Sequence, residues 1–78
     1  MEIFTALADP TRRRIVELLS RGEYAAGEIV AAFDVSGPAI SQHLKVLREA
    51  ALVQVRVEGQ RRIYQLNPQG LDEMDRWL

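Results

Sequence analysis

No cysteine occurs in this 78-residue chain. That excludes a disulfide framework, a thiolate zinc site and a thiol nucleophile. The single histidine is too little for an all-histidine metal site. Aromatic residues are 6% of the chain, so aliphatic side chains must build the core. No apolar run approaches the ~18 residues of a membrane span, and the N-terminus lacks the basic-then-apolar pattern of a signal peptide. What is present is 47% hydrophobic and 27% charged, a globular composition that argues against disorder. The length fits one domain, residues 1–78. A core of that size is marginal by itself, so an oligomer is expected.

The formal net charge is -1, which looks wrong for a protein that binds polyanions. Its distribution is uneven. Residues 1–35 hold four basic and six acidic side chains, residues 36–65 hold five basic (Lys45, Arg48, Arg56, Arg61, Arg62) and two acidic, and residues 66–78 hold Arg76 against Asp72, Glu73 and Asp75. The central stretch is therefore net positive, and local field steers a ligand more than total charge does.

Ile3, Phe4 and Leu7 lie at helical spacing, which predicts a short first helix over about 2–8. Asp9-Pro10 reads as a helix start, an acidic cap followed by a residue with no N–H to orphan. Ile15, Leu18 and Leu19 give that second helix an apolar face, and Gly22 ends it. A short third helix over 25–33 turns Ile29, Val30 and Phe33 inward. Its start has Glu28 where a capping box would, but Ala25 where Ser or Thr should stand, at a cost of about 1 kcal/mol. Ser36 caps a fourth helix running to about Ala50. The period then changes from helical to alternating. Residues 52–57 and 62–66 are β-rich and Glu58-Gly59-Gln60-Arg61 supplies a turn between them. Asn67-Pro68 repeats the cap-plus-proline device and opens a last helix, 68–78. The expected class is mainly α with a small β-hairpin, in the order ααααββα.

A short helix, a tight turn and a second helix (about 25–50), followed by a basic hairpin (about 52–66), read as a winged helix-turn-helix. The DNA major groove admits one α-helix, whose N-terminal residues reach base edges, and a hairpin beside it offers arginines to the backbone or minor groove. At about 100° per residue, Leu44 and Leu47 fall within roughly 40° of Ile40. Pro38, Gln42, Lys45 and Glu49 fall on the opposite face, flanked by Ser41 and Arg48. The exposed face thus carries an amide suited to adenine, a hydroxyl, and cations suited to phosphate. His43 lies at the edge of the buried stripe, as a packing or phosphate-contacting residue. A hydrolase is not expected: Ser41 and His43, two apart on a helix, do not face each other. In the Arg12-Arg13-Arg14 run, Arg12 is expected to pair with Asp9.

These residues resemble the ArsR/SmtB family of bacterial winged-helix repressors. The resemblance rests on ALADPTRRRIVELL at 6–19, SGPAISQHLKVLREAALV at 36–53 and VEGQRRIYQL at 57–66. It implies a cytoplasmic homodimer, joined mainly by its first and last helices, that binds an inverted repeat in promoter DNA and represses transcription. The DNA-contacting set is expected to be Ser36, Pro38, Ser41, Gln42, His43, Lys45, Arg56, Arg61 and Arg62. The dimer face is expected to be Ile3, Phe4, Leu7, Leu71, Met74, Trp77 and Leu78. Partners are double-stranded DNA and a second copy of the chain, with no membrane role. No residue identifies an inducer.

Five departures from the family stand beside this. Many members sense metals through a Cys-x-Cys pair in the third helix, where this chain has Tyr24-Ala25-Ala26-Gly27. Others use Asp and His on the last helix, which here has Asp72, Glu73 and Asp75 without a histidine. No metal or other cofactor is therefore expected. Gly37 stands where relatives often carry Arg, and Ala51 where Gly usually ends the reading helix, so a left-handed cap there costs about 1 kcal/mol. Leu78 falls inside a helix that is usually longer. The small basic excess and Gly37 motivate the alternative, a winged helix used as a protein-interaction module without sequence-specific DNA binding.

Overall fold

A computed structural model describes residues 2–77. The elements are α1 (Ile3–Ala6), α2 (Pro10–Leu19), β1 (Tyr24–Ala25), α3 (Ala26–Ala32), α4 (Gly37–Glu49), β2 (Val53–Glu58), β3 (Arg61–Leu66) and α5 (Pro68–Trp77). The expected helices and hairpin are all present, and the architecture is a winged helix-turn-helix. One strand was not anticipated. β1 adds to the hairpin antiparallel, giving the order β1-β3-β2, with Tyr24 opposite Tyr64 and Ala25 opposite Ile63.

The helix starts obey local chemistry. Asp9 caps α2, its carboxylate accepting the Arg12 N–H at 3.0 Å, with Pro10 in the first turn. Ser36 caps α4 by accepting the Ala39 N–H at 3.3 Å. Half of the capping box at α3 is realised: Glu28 accepts the Ala25 N–H at 2.8 Å, while Ala25 has no side-chain acceptor to return. Asn67 accepts the Gln69 N–H at 3.1 Å at the start of α5.

The helices wrap an aliphatic core. Ile15, Ile29, Ile40, Leu47 and Leu52 are fully buried, one or more from each of α2, α3 and α4 and from the turn into β2. Full burial of such a side chain contributes about 1.5–3 kcal/mol. Ile3 and Ala6 of α1 and Tyr64 of β3 complete this core.

The exit from α4 decides where the wing points. The Leu52 N–H donates to the Leu47 carbonyl and the Ala51 N–H to the Arg48 carbonyl, both at 3.0 Å. That pair of bonds is a Schellman motif, and Leu47 and Leu52, the residues it brings together, are both fully buried. Its left-handed residue is Ala51, at φ 60°, as expected from the sequence. α5 crosses this turn closely: a Cβ on buried Gly70 would lie 2.3 Å from the Ala51 carbonyl oxygen. At the hairpin tip, Glu58 opposes Arg61, leaving the two-residue loop Gly59-Gln60. Gly59 has φ 62° and Gln60 does not have a positive φ, the pattern of a II′ turn with glycine first.

Candidate nucleic-acid interface

α4 is amphipathic in the way its spacing requires. Ile40, Leu44 and Leu47 are buried, while Pro38, Ser41, Gln42, Lys45 and Arg48 are exposed. The expected groove face is therefore free of the core, beginning at Pro38 in the first turn of the helix. The side chains of Lys45 and Arg48 have no hydrogen-bond or ion-pair partner among the described residues. They border an open groove completed by Glu49 and by Val53, Gln54 and Val55 of β2. Ser36 has a defined structural role already, since its hydroxyl holds the helix cap.

His43 is turned elsewhere. It is half-buried against the start of α2, with its Nδ1 3.3 Å from the Arg12 Nη1 and 3.9 Å from the Asp9 carboxylate. His43 thus joins α4 to α2 instead of lying beside Ser41 and Gln42. Burial pushes the Asp9 carboxyl upward, but the Arg12 N–H, the nearby His43 ring and the Thr11 N–H outweigh it and hold the group below its ordinary value.

Two arginines of the run, Arg12 and Arg13, bond the chain itself, while Arg14 is exposed. Arg12 bonds Asp9 through its backbone N–H, while its side chain donates to the carbonyls of Ala6 at 2.5 Å and Thr5 at 3.3 Å. Arg13 donates to the carbonyls of Leu7 at 2.8 Å and Ala8 at 3.2 Å. The two guanidinium groups bond backbone carbonyls at the end of α1 and in the turn that follows it. The expected Arg12–Asp9 side-chain pair is not formed.

The wing arginines divide into two sets. Arg56 meets both carboxylate oxygens of Glu23, at 2.5 and 2.9 Å, and also bonds Glu58 and Gln65. Its hydrogen bond holds Glu23 below the usual carboxylate range, and the two carboxylates in turn raise the arginine. Arg61 lies 3.4 Å from Glu28. Arg62 is exposed, without a side-chain partner among the described residues. Sequence reasoning missed Glu23 and Glu28, which lie outside the basic stretch and offset two of its charges.

Of the residues expected at the dimer face, Ile3 is already buried within the chain, Leu7 is half-buried and Phe4 is 54% exposed. The side chains of Leu71, Met74 and Trp77, and Leu78 as a whole, lie outside the described residues. No described helix is long and apolar enough to cross a membrane.

An exposed polar face on the second helix of a helix-turn-helix, with a hairpin beside it, defines a winged-helix protein. Residues 9–55 match the model of the bacterial regulatory protein arsR family, and the chain belongs to that family. It is 59% identical over 66 residues to the HTH-type transcriptional regulator Rv2034 of Mycobacterium tuberculosis, covering 85% of this chain and 62% of that protein. It is 40% identical over 76 residues to the transcriptional repressor SdpR of Bacillus subtilis, covering 97% of this chain and 84% of that one. The crystal structure of a "possible transcriptional regulator for arsenical resistance" superposes with a TM-score of 0.92 at 45% identity, over 99% of this chain and 80% of that one. The chain thus spans less than two thirds of the M. tuberculosis relative. These relatives are regulators and repressors, a non-enzymatic class.

Proposed function

We propose that this chain forms a homodimer that binds an inverted repeat in double-stranded promoter DNA and represses transcription in the cytoplasm. The observation that carries the reading is the outer face of α4. Ser41, Gln42 and Lys45 stand exposed together, opposite the buried Ile40, Leu44 and Leu47, in a chain of the arsR family.

α4 enters the major groove by its N-terminal half. The Gln42 amide donates to adenine N7 and accepts from its N6 amine, and the Ser41 hydroxyl meets a neighbouring base edge. Pro38 packs near the backbone. Lys45, Arg48 and Arg62 meet phosphates, which fix register without reading sequence. Two copies related by a two-fold axis set two α4 helices about 34 Å apart, so the operator repeats one helical turn on. On α1 the pairing surface narrows to Phe4 and Leu7, because Ile3 serves the core of its own chain. Leu71, Met74, Trp77 and Leu78 are the residues offered from the last helix. Repression is the reading supported by the B. subtilis relative, which is named a transcriptional repressor. With no cysteine in the chain, no thiolate metal trigger is proposed.

The test is selection of bound sites from random double-stranded DNA. The expected result is an enriched inverted repeat with half-sites about one helical turn apart. Folded dimer that enriches no sequence at low salt overturns the reading in favour of a protein-interaction module.

A further inference from the structure

Side chains on a strand alternate between faces, and directly opposed residues on neighbouring strands share a face. The register sets Val55 opposite Tyr64 and Val57 opposite Arg62, so Arg62 extends the sheet face that carries Tyr64. Arg56, Glu58, Arg61 and Gln65 lie on the other face. The wing therefore holds Arg62 on one side and Arg56 and Arg61 on the other.

The second side is tied to the body of the protein. Arg56 directs Nε to Glu58, Nη1 and Nη2 to the two oxygens of Glu23, and Nη1 also to Gln65. A guanidinium has five N–H donors in a fixed fork, and a fork facing a carboxylate two-to-two is its most directional pairing. Glu23 immediately precedes β1. Arg61 reaches the Glu28 oxygen that also accepts the Ala25 N–H. Both arms of the hairpin are thus fastened to residues 23–28, where the helix-turn-helix begins. The wing needs such fastening. Residues 56–62 are all exposed, and a two-stranded hairpin without a packed face is marginal in water.

We propose that Glu23 and Arg56 are positioning residues: they fix the angle between the wing and the α3–α4 pair, so that Arg62 and the α4 face meet one stretch of duplex together, while Arg56 itself touches no phosphate. The proposal rests on the DNA-binding reading. It gives a role to an acidic residue beside a basic wing, where simple attraction to a polyanion would disfavour it. A wing held before binding leaves less to be ordered when DNA arrives.

The test titrates the full chain with its selected DNA at several salt concentrations. Arg56→Ala is expected to weaken binding about two- to fivefold, the scale of an exposed ion-pair network, with an unchanged salt slope. Arg62→Ala is expected to lower the log–log slope by about 0.9, the release of one phosphate counterion. Glu23→Ala is expected to weaken binding although it removes a negative charge, and Glu23→Gln, which keeps an acceptor for Arg56, to recover part of the loss. In the free protein, amide exchange over residues 57–62 should quicken in Arg56→Ala and Glu23→Ala and stay as it is in Arg62→Ala. The proposal is overturned if Arg56→Ala lowers the slope as Arg62→Ala does, if Glu23→Ala tightens binding, or if wing exchange is unchanged. A native chain that binds no DNA overturns the DNA reading and the wing's orienting role with it. The exchange measurement then still reports whether the brace exists.

Discussion

Replacing Ala51 by glycine should stabilise the protein. Ala51 sits at φ 60° in the Schellman turn that ends α4, a conformation that costs an L-residue about 1–2 kcal/mol. The turn is enforced from both sides. Two backbone hydrogen bonds close it, Leu47 and Leu52 are fully buried at its ends, and Gly70 of α5 lies against its carbonyl. The alanine methyl is exposed, so its removal loses no packing. Glycine relieves the strain but gives up about 0.5–1 kcal/mol of extra backbone freedom on folding. Taken at matching points of the two ranges, the balance is a gain of about 0.5–1 kcal/mol. At about 4–8 °C per kcal/mol for a domain of this size, Tm should rise by about 2–8 °C. Urea denaturation should show a higher midpoint with an unchanged m value. Both variants need the same protein concentration, because assembly adds to apparent stability. DNA affinity should not change, since the turn is the same turn. An unchanged or lower midpoint refutes the reasoning, for without strain at Ala51 only the entropic cost of glycine remains.

Gly70→Ala should act in the opposite direction. Its Cβ would meet the Ala51 oxygen at 2.3 Å and the Leu52 Cα at 2.8 Å, and since both are backbone, α5 must shift, at about 1–3 kcal/mol; native-like thermal stability would mean the helix does not cross so closely. Asp9→Ala removes the carboxylate that accepts the Arg12 N–H and should cost about 1 kcal/mol at neutral pH. Because folding lowers the Asp9 pKa, its extra stabilisation is full above the unfolded pKa and is lost as pH falls through the folded one, so the gap between variant and native protein should narrow below about pH 4; acid denaturation curves that stay parallel would contradict this. Gln42→Ala should cost about 1–3 kcal/mol of DNA affinity and relax preference at one base pair of each half-site. If repeating the site selection with that variant returns the same repeat at the same affinity, Gln42 does not read the groove.

What could be read from the sequence was local chemistry. Asp9-Pro10 and Ser36 announce helix starts because a capping oxygen acts within three residues of itself. Ile40, Leu44 and Leu47 announce a buried face because helical spacing alone brings them together, and Gly59 announces the hairpin turn because few residues take its φ. The strain at Ala51 was anticipated only through the family resemblance, which usually puts glycine at that place. β1 was not legible. Two residues, Tyr24 and Ala25, carry no alternation to read, and the strand exists because β3 has an edge free to pair with it. The side-chain partners of Arg12 and Arg13 were not legible for a related reason: they are backbone carbonyls near the end of α1, which no spacing along the chain announces.

The same limit governs the candidate site and alters its electrostatics. Glu23 and Glu28 each stand 33 residues from the wing arginine they meet, so a segment-by-segment charge count assigns the wing more free positive charge than the folded chain has. Arg56 and Arg61 are offset and His43 faces α2, so among the described residues of α4 and the wing the exposed cations without a partner are Lys45, Arg48 and Arg62. On the DNA-binding reading, this has a direct consequence. Non-specific affinity comes from phosphate neutralisation and grows with each free cation, whereas discrimination comes from base-edge contacts such as those of Ser41 and Gln42. A protein of net charge -1 with few unpaired cations at its interface binds random DNA weakly, so its affinity for an operator must depend heavily on the bases. Holding the wing in place by internal ion pairs fits that strategy, because it adds order to the reading surface without adding charge that every sequence would attract equally.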